Sequence, residues 1–107
     1  MLDTELRSLV YYLKNELQLD NYYNGGSSGY FEEYYDISGW DKDVKRYIDV
    51  VFRKRKIDGQ ITVDVSHNTD GARNIAIRVK NLLRLKSFDA KVTWYKEVKH
   101  YEERVIL

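Results

Sequence analysis

The stretch Tyr47–Ser66, YIDVVFRKRKIDGQITVDVS, decides the fold. In its first half Ile48, Val50 and Phe52 alternate with Tyr47, Asp49, Val51 and Arg53. In its second half Ile61, Val63 and Val65 alternate with Thr62, Asp64 and Ser66. A period of two marks a strand with one buried face, so strands are predicted over 46–56 and 60–66. Asp58-Gly59 lies between them and is a dipeptide that accepts positive φ in a type I′ hairpin turn. A two-residue loop there puts Phe52 opposite Val65 and Arg53 opposite Asp64. The apolar faces coincide in that register, and a slip of one residue would separate them.

Outward from the hairpin, residues 4–19 read as an amphipathic helix, because Leu6, Leu9, Val10, Leu13 and Leu17 recur on one helical face. Asp3 is placed to cap it, and Glu5 in the first turn suits the helix dipole. Asp20–Gly29 reads as a loop around Asn24-Gly25-Gly26-Ser27-Ser28-Gly29. Residues 30–37 read as a strand with Phe31, Tyr35 and Ile37 on one side, and Gly39–Lys45 as a polar connection. Asn68-Thr69-Asp70 supplies caps for a second helix over 70–86, whose stripe is Ala72, Ile75, Ala76, Val79, Leu82 and Leu83. Residues 90–98 alternate again, and 101–107 offers a last strand. The predicted class is α+β, two helices on a mostly antiparallel sheet of four to five strands in the order α-β-β-β-α-β(-β).

Composition bounds the function. A chain of 107 residues has room for one core, so residues 1–107 are expected to form a single domain. Lys and Arg number 18 against 17 Asp and Glu, a balance that disfavours generic nucleic-acid binding. No apolar run approaches a membrane span, and the N-terminus lacks a signal-peptide layout. The absence of Cys excludes disulfides, thiolate zinc sites and cysteine nucleophiles, and an intracellular setting is expected. Tyr occurs 10 times against 3 Phe, an excess that suits half-wet interfaces as well as strands.

Few residues carry chemistry. His67 and His100 have no partner at metal-ligand spacing, and no Ser or Thr is marked as a nucleophile, so no catalytic residue, metal or cofactor is expected. Gly26-Ser27 ahead of Asp36-Ile37-Ser38 is similar to a nucleotidyltransferase motif. Ser38 replaces that motif's second Asp, however, and no Gly-Lys-Ser/Thr follows the glycines. In the second helix Arg73, Lys80 and Arg84 fall on one stripe opposite the core, amid a run of cations without an acid between Asp70 and Asp89. That stripe is a solvated face, or a surface for an acidic partner or a nucleic-acid backbone. Tyr22, Tyr23, Tyr30 and Tyr34 cluster around the glycine loop as a second candidate contact surface.

Two families are resembled. The αβββαβ order, with Tyr47–Phe52 followed by Ile61–Ser66, resembles the PD-(D/E)XK nucleases. That resemblance implies Asp49 and Asp64 as magnesium ligands, and Ser66 stands where the family has its catalytic Lys. The predicted register sets Asp49 four residues along the strand from Arg53, roughly 13 Å away at ~3.3 Å per residue. Carboxylates sharing one Mg²⁺ must each approach to about 2.1 Å, so a cross-strand Arg53–Asp64 pair is the simpler expectation.

The order of elements, and the run from ITVDVSH (61–67) into NTDGARNIAIRVKNLL (68–83), is similar to the tail terminator and neck proteins of long-tailed bacteriophages. That resemblance implies a non-enzymatic homo-oligomeric ring between head and tail. Its partners would be other virion or assembly proteins, and its location the virion or host cytoplasm.

Overall fold

A computed structural model describes residues 2–65, 70–98 and 101–107. The elements are α1 (Leu2–Glu16), β1 (Asn21–Asn24), β2 (Phe31–Asp41), β3 (Arg46–Arg55), β4 (Ile61–Val65), α2 (Asp70–Leu85), β5 (Lys91–Val98) and β6 (Tyr101–Ile106). The strands form one sheet in chain order, antiparallel at every neighbour except β4 and β5, which run parallel around the α2 crossover. The α+β class is the expected one, with six strands rather than four or five. No helix among the described residues is long and apolar enough to cross a membrane. Asn68 and Thr69, read as caps, lie outside the described residues, as do Ser66, His67 and His100.

Both helices bury their stripes against the same face of the sheet. Leu6, Leu9, Val10 and Leu13 of α1 and Ala72, Ile75, Ala76, Val79 and Leu83 of α2 join Tyr35, Ile37, Ile48, Val50, Phe52, Val63, Val65, Val92 and Trp94 in one core. α1 begins at Leu2, so Asp3 lies in its first turn rather than at its cap. Each helix ends in the paired backbone bonds of a Schellman motif. At α1 these are Leu19 N–H to Lys14 O (3.0 Å) and Gln18 N–H to Asn15 O (3.1 Å). At α2 they are Phe88 N–H to Leu83 O (3.0 Å) and Ser87 N–H to Arg84 O (2.9 Å). Gln18 (φ 55°) and Ser87 (φ 53°) take the left-handed position that glycine usually fills. Leu19 and Phe88, the next residue in each case, pack on the core.

The β3–β4 register differs from the expected one. Phe52 faces Val63, Arg53 faces Thr62, and Val51 faces Asp64. The cause is the turn. A type I′ turn needs positive φ at both central residues, whereas Gly59 (φ 69°) has it and Asp58 does not. The chain therefore uses four residues, 56–59, closed by Gly59 N–H to Arg55 O (2.9 Å) and Arg55 N–H to Gln60 O (3.0 Å). Asp58 Oδ1 accepts from the Gln60 N–H (3.0 Å). The β2–β3 loop repeats this design over 42–45, with Lys45 (φ 55°) in the left-handed position and Lys45 N–H bonded to Asp41 O (2.8 Å). Because the slip is two residues, every side chain keeps its face.

Three further differences involve β1 and β2. A bulge between Phe31 and Glu33 turns Phe31 to the face opposite Tyr35 and Ile37, over which the Arg53 guanidinium lies (5.8 Å to the ring). β2 runs on through Gly39 to Asp41, four residues past the predicted end. A Cβ at Gly39 would sit 2.9 Å from the Asp20 backbone nitrogen, so this glycine admits the crossing chain and does not end the strand. Asn21–Asn24, read as loop, is edge strand β1. Tyr22 holds it down, stacked on Tyr11 (4.6 Å between ring centres) and on Tyr35 (6.2 Å).

Candidate functional site

With both helices on one side, no described helix covers the other sheet face. Strand alternation sends Tyr23, Tyr34, Asp36, Ser38, Trp40, Tyr47, Asp49, Arg53, Asp64 and Thr93 to it. At one end of this face Trp40 and Tyr47 stand opposite each other on β2 and β3, 57% and 56% exposed. Tyr23 is 61% exposed and meets Tyr34 edge-on, with ring centres 6.4 Å apart. The Tyr47 hydroxyl donates to Ser38 Oγ (2.9 Å) and accepts from Asn21 Nδ2 (3.1 Å), tying the rim across three strands.

Inside the rim lie three carboxyl groups in two arrangements. Asp64, 4% exposed, is bound on both oxygens: Arg53 donates to Oδ2 (2.5 Å) and the Thr93 hydroxyl donates to Oδ1. The expected Arg53–Asp64 pair thus forms, by diagonal reach rather than from opposed positions. Arg53 is further held over the Tyr34 ring (5.3 Å). Asp36 and Asp49 form the second arrangement, a hydrogen-bonded carboxyl pair on adjacent strands. Oδ1 of each is buried without a hydrogen-bond partner. Burial, and then the Asp49 carboxylate, push the Asp36 carboxyl up to about 7.

That shift sets a pH dependence. A carboxyl group at 3.8 in the unfolded chain and about 7 in the folded one keeps its proton through the window between them only when folded. Stability is then greatest below the unfolded value and falls as pH rises through the folded one. Discounted for solvent at a half-buried group, the loss is about 1–2 kcal/mol. Asp36→Asn is expected to remove this slope. Thermal melts of dilute protein at acidic and mildly alkaline pH will check it, and an unchanged slope in the variant would contradict the assignment.

The corrected register revises one sequence argument. Asp64 faces Val51, so Asp49 lies one diagonal step from Asp64 instead of four residues along the strand. Even so, no group of three or more His, Asp or Glu among the described residues is placed to hold a metal ion. Tyr22 is separated from Tyr23 and Tyr34 by the sheet itself, and Tyr30, 82% exposed, precedes β2. Arg73, Lys80 and Arg84 sit on α2, on the opposite side of the domain; Arg73 and Arg84 are exposed and Lys80 is half-buried. None of the three has an ion-pair partner among the described residues. Arg78 differs, because Asp41 (2.9 Å) and Asp43 (3.5 Å) neutralise it.

Sequence reasoning missed the Trp40–Tyr47 pair and the Asp36–Asp49 pair. Both depend on β2 continuing past Gly39 and on the four-residue turn that follows it. The signal available for that turn was Asp41, whose Oδ1 accepts from the N–H groups of Asp43 and Val44 (3.0 Å each). A concavity of about 620 Å³ is an open groove on the helical side, lined by residues including Glu5, Tyr12, Lys86 and Phe88. There the Lys86 ammonium lies over the Tyr12 ring (4.4 Å). Comparison with known proteins finds no matching family model, no matching curated protein and no matching solved structure.

Proposed function

We propose that this chain is a non-enzymatic subunit of a homo-oligomeric assembly, of the kind built by the phage tail terminator and neck proteins it resembles in order of elements. One observation carries the reading: a six-stranded sheet with helices on one side presents Trp40, Tyr47 and Tyr23, each more than half exposed, on the other. Exposed aromatics around polar groups make the composition of a contact surface. The acids beneath them support binding over catalysis, because Asp64 is occupied by Arg53 and Thr93. Trp40→Ser with Tyr47→Ser is expected to reduce self-association at least tenfold, which is about 1.4 kcal/mol. Association untouched by that double change would sink the reading.

A second reading, a metal-dependent nuclease of the PD-(D/E)XK kind, is favoured by one observation: Asp36, Asp49 and Asp64 share a face on neighbouring strands. Mg²⁺- or Mn²⁺-dependent cleavage of DNA or RNA that disappears in Asp64→Asn would establish it in place of the first. We expect no cleavage.

A further inference from the structure

The β2–β3 hairpin ends in Trp40-Asp41-Lys42-Asp43-Val44-Lys45-Arg46-Tyr47. Lys42, Lys45 and Arg46 are exposed, and none has an ion-pair partner among the described residues. Both acids of the segment are engaged by Arg78 of α2: Asp41 is buried and bonded to it (2.9 Å), and Asp43 lies 3.5 Å from it. Four cations (Lys42, Lys45, Arg46, Arg78) thus stand against two acids at this end, although the chain as a whole is nearly balanced. Trp40 and Tyr47, both more than half exposed, face each other one pair back from the last pair of the hairpin, Asp41 and Arg46. The arrangement is held in place from several sides. Ser38 and Asn21 fix the Tyr47 hydroxyl, and Asp41 Oδ1 accepts from the Asp43 and Val44 N–H groups. Val44 packs on the core against Gly71 of α2, where an added Cβ would come within 2.9 Å of its own.

We propose that this hairpin end binds single-stranded nucleic acid, with successive bases stacked on Trp40 and Tyr47 and the adjoining phosphates against Lys42 and Lys45. Arg46, paired with Asp41 on the other side of the strand, adds to the attraction without reaching the rings. Paired rings beside cations suit this ligand because a single strand offers both a planar face and a negative charge at every nucleotide. Opposed strand positions hold side chains about 5 Å apart, so neighbouring bases of one strand can reach both rings. In a duplex those base faces are already stacked. An acidic polypeptide would use the cations and leave the rings without a planar partner. A membrane surface would call for an apolar apex, and Val44, the aliphatic residue of the loop, is packed down on the core. The proposal goes beyond the assembly reading. It shares the two rings with that reading, so an oligonucleotide and a neighbouring subunit exclude each other here, but the cations belong to this site alone.

Fluorescence anisotropy of labelled oligothymidylate and oligouridylate, each about ten nucleotides long, tests it at low salt with EDTA present. Both should bind the parent chain, and the tighter of the two shows whether the 2′-hydroxyl is read. On logarithmic axes affinity should fall with salt at a slope of about −1.4, two phosphates at roughly 0.7 each. Lys42→Glu with Lys45→Glu should weaken binding at least about tenfold and flatten that slope. Trp40→Ala and Tyr47→Ala should each weaken it about fivefold or more and leave the slope unchanged. All four side chains are exposed, so the fold is kept, and melting curves confirm it. The control is Lys80→Glu with Arg84→Glu, an equal change of charge on α2. Lys80 lines a hollow with Gly59 and Gln60, at the other end of β3, and this variant should change binding by less than about threefold.

Absence of binding at low salt overturns the proposal, and so does binding that survives the double lysine change. Ring variants that bind like the parent, with polyglutamate competing as well as unlabelled oligonucleotide, would make this a surface for an acidic protein and overturn it too. A chain that self-associates yet binds no oligonucleotide removes this proposal and leaves the assembly reading. A chain that binds oligonucleotide and is monomeric throughout does the reverse.

Discussion

Replacing Asp64 by Ala is expected to lower stability by about 3–5 kcal/mol, the cost of breaking a buried charge pair by removing one partner. The change strips the Arg53 guanidinium of its counter-ion and leaves the Thr93 hydroxyl, on a residue 1% exposed, without the acceptor it now has. Asp64→Asn should cost less, because an amide oxygen still accepts from Thr93. Urea unfolding reads the effect as a lower midpoint with an unchanged slope. The result also separates the two functional readings. An acid held among like charges to bind a metal is strained, so its removal relieves repulsion and leaves stability equal or higher. An acid that is part of the fold shows the loss predicted here.

Phe52→Ala should have a comparable effect, again about 3–5 kcal/mol, from lost burial together with the cavity left behind. Phe52 is fully buried on a strand with neighbours on both sides, facing Tyr35 on β2 and Val63 on β4. Domains of this size have roughly 5–15 kcal/mol in total, so the variant would sit near the edge of unfolding at room temperature. Ile57→Ser is the control: Ile57 is 88% exposed in the β3–β4 loop and should change stability by less than about 0.5 kcal/mol. Equal midpoints for the two variants would mean that the sheet does not pack as described.

The burial of Phe52 shows what was legible in the sequence. Alternation assigns each strand residue to a face by parity, and parity survives a register slip of two, so Ile48, Val50, Phe52, Val63 and Val65 were placed correctly although their partners were not. The α1 and α2 stripes were legible for the same reason at a period of 3.6. What escaped notice depends on single backbone conformations that residue type signals weakly. Lys45, Gln18 and Ser87 occupy left-handed positions without being glycine, and they set one loop length and two helix ends.

Other features escaped because tertiary contact overrides local pattern. NYYN has no alternation to announce a strand, and it becomes β1 through Tyr22 stacking between Tyr11 and Tyr35. Gly39 looks like a strand end, yet it is where α1's following chain crosses β2. The candidate site inherits these gaps. Its acids and aromatics were visible one by one, but their grouping required the β2–β3 register, which the Lys42–Lys45 loop sets.

The central claim is that copies of this chain bind one another, and the most direct test is the mass of the unaltered protein in solution. Light scattering across a wide range of concentration at low salt should give a multiple of the 12.8 kDa subunit, falling toward one subunit on dilution. A constant mass of one subunit at every concentration would contradict the account.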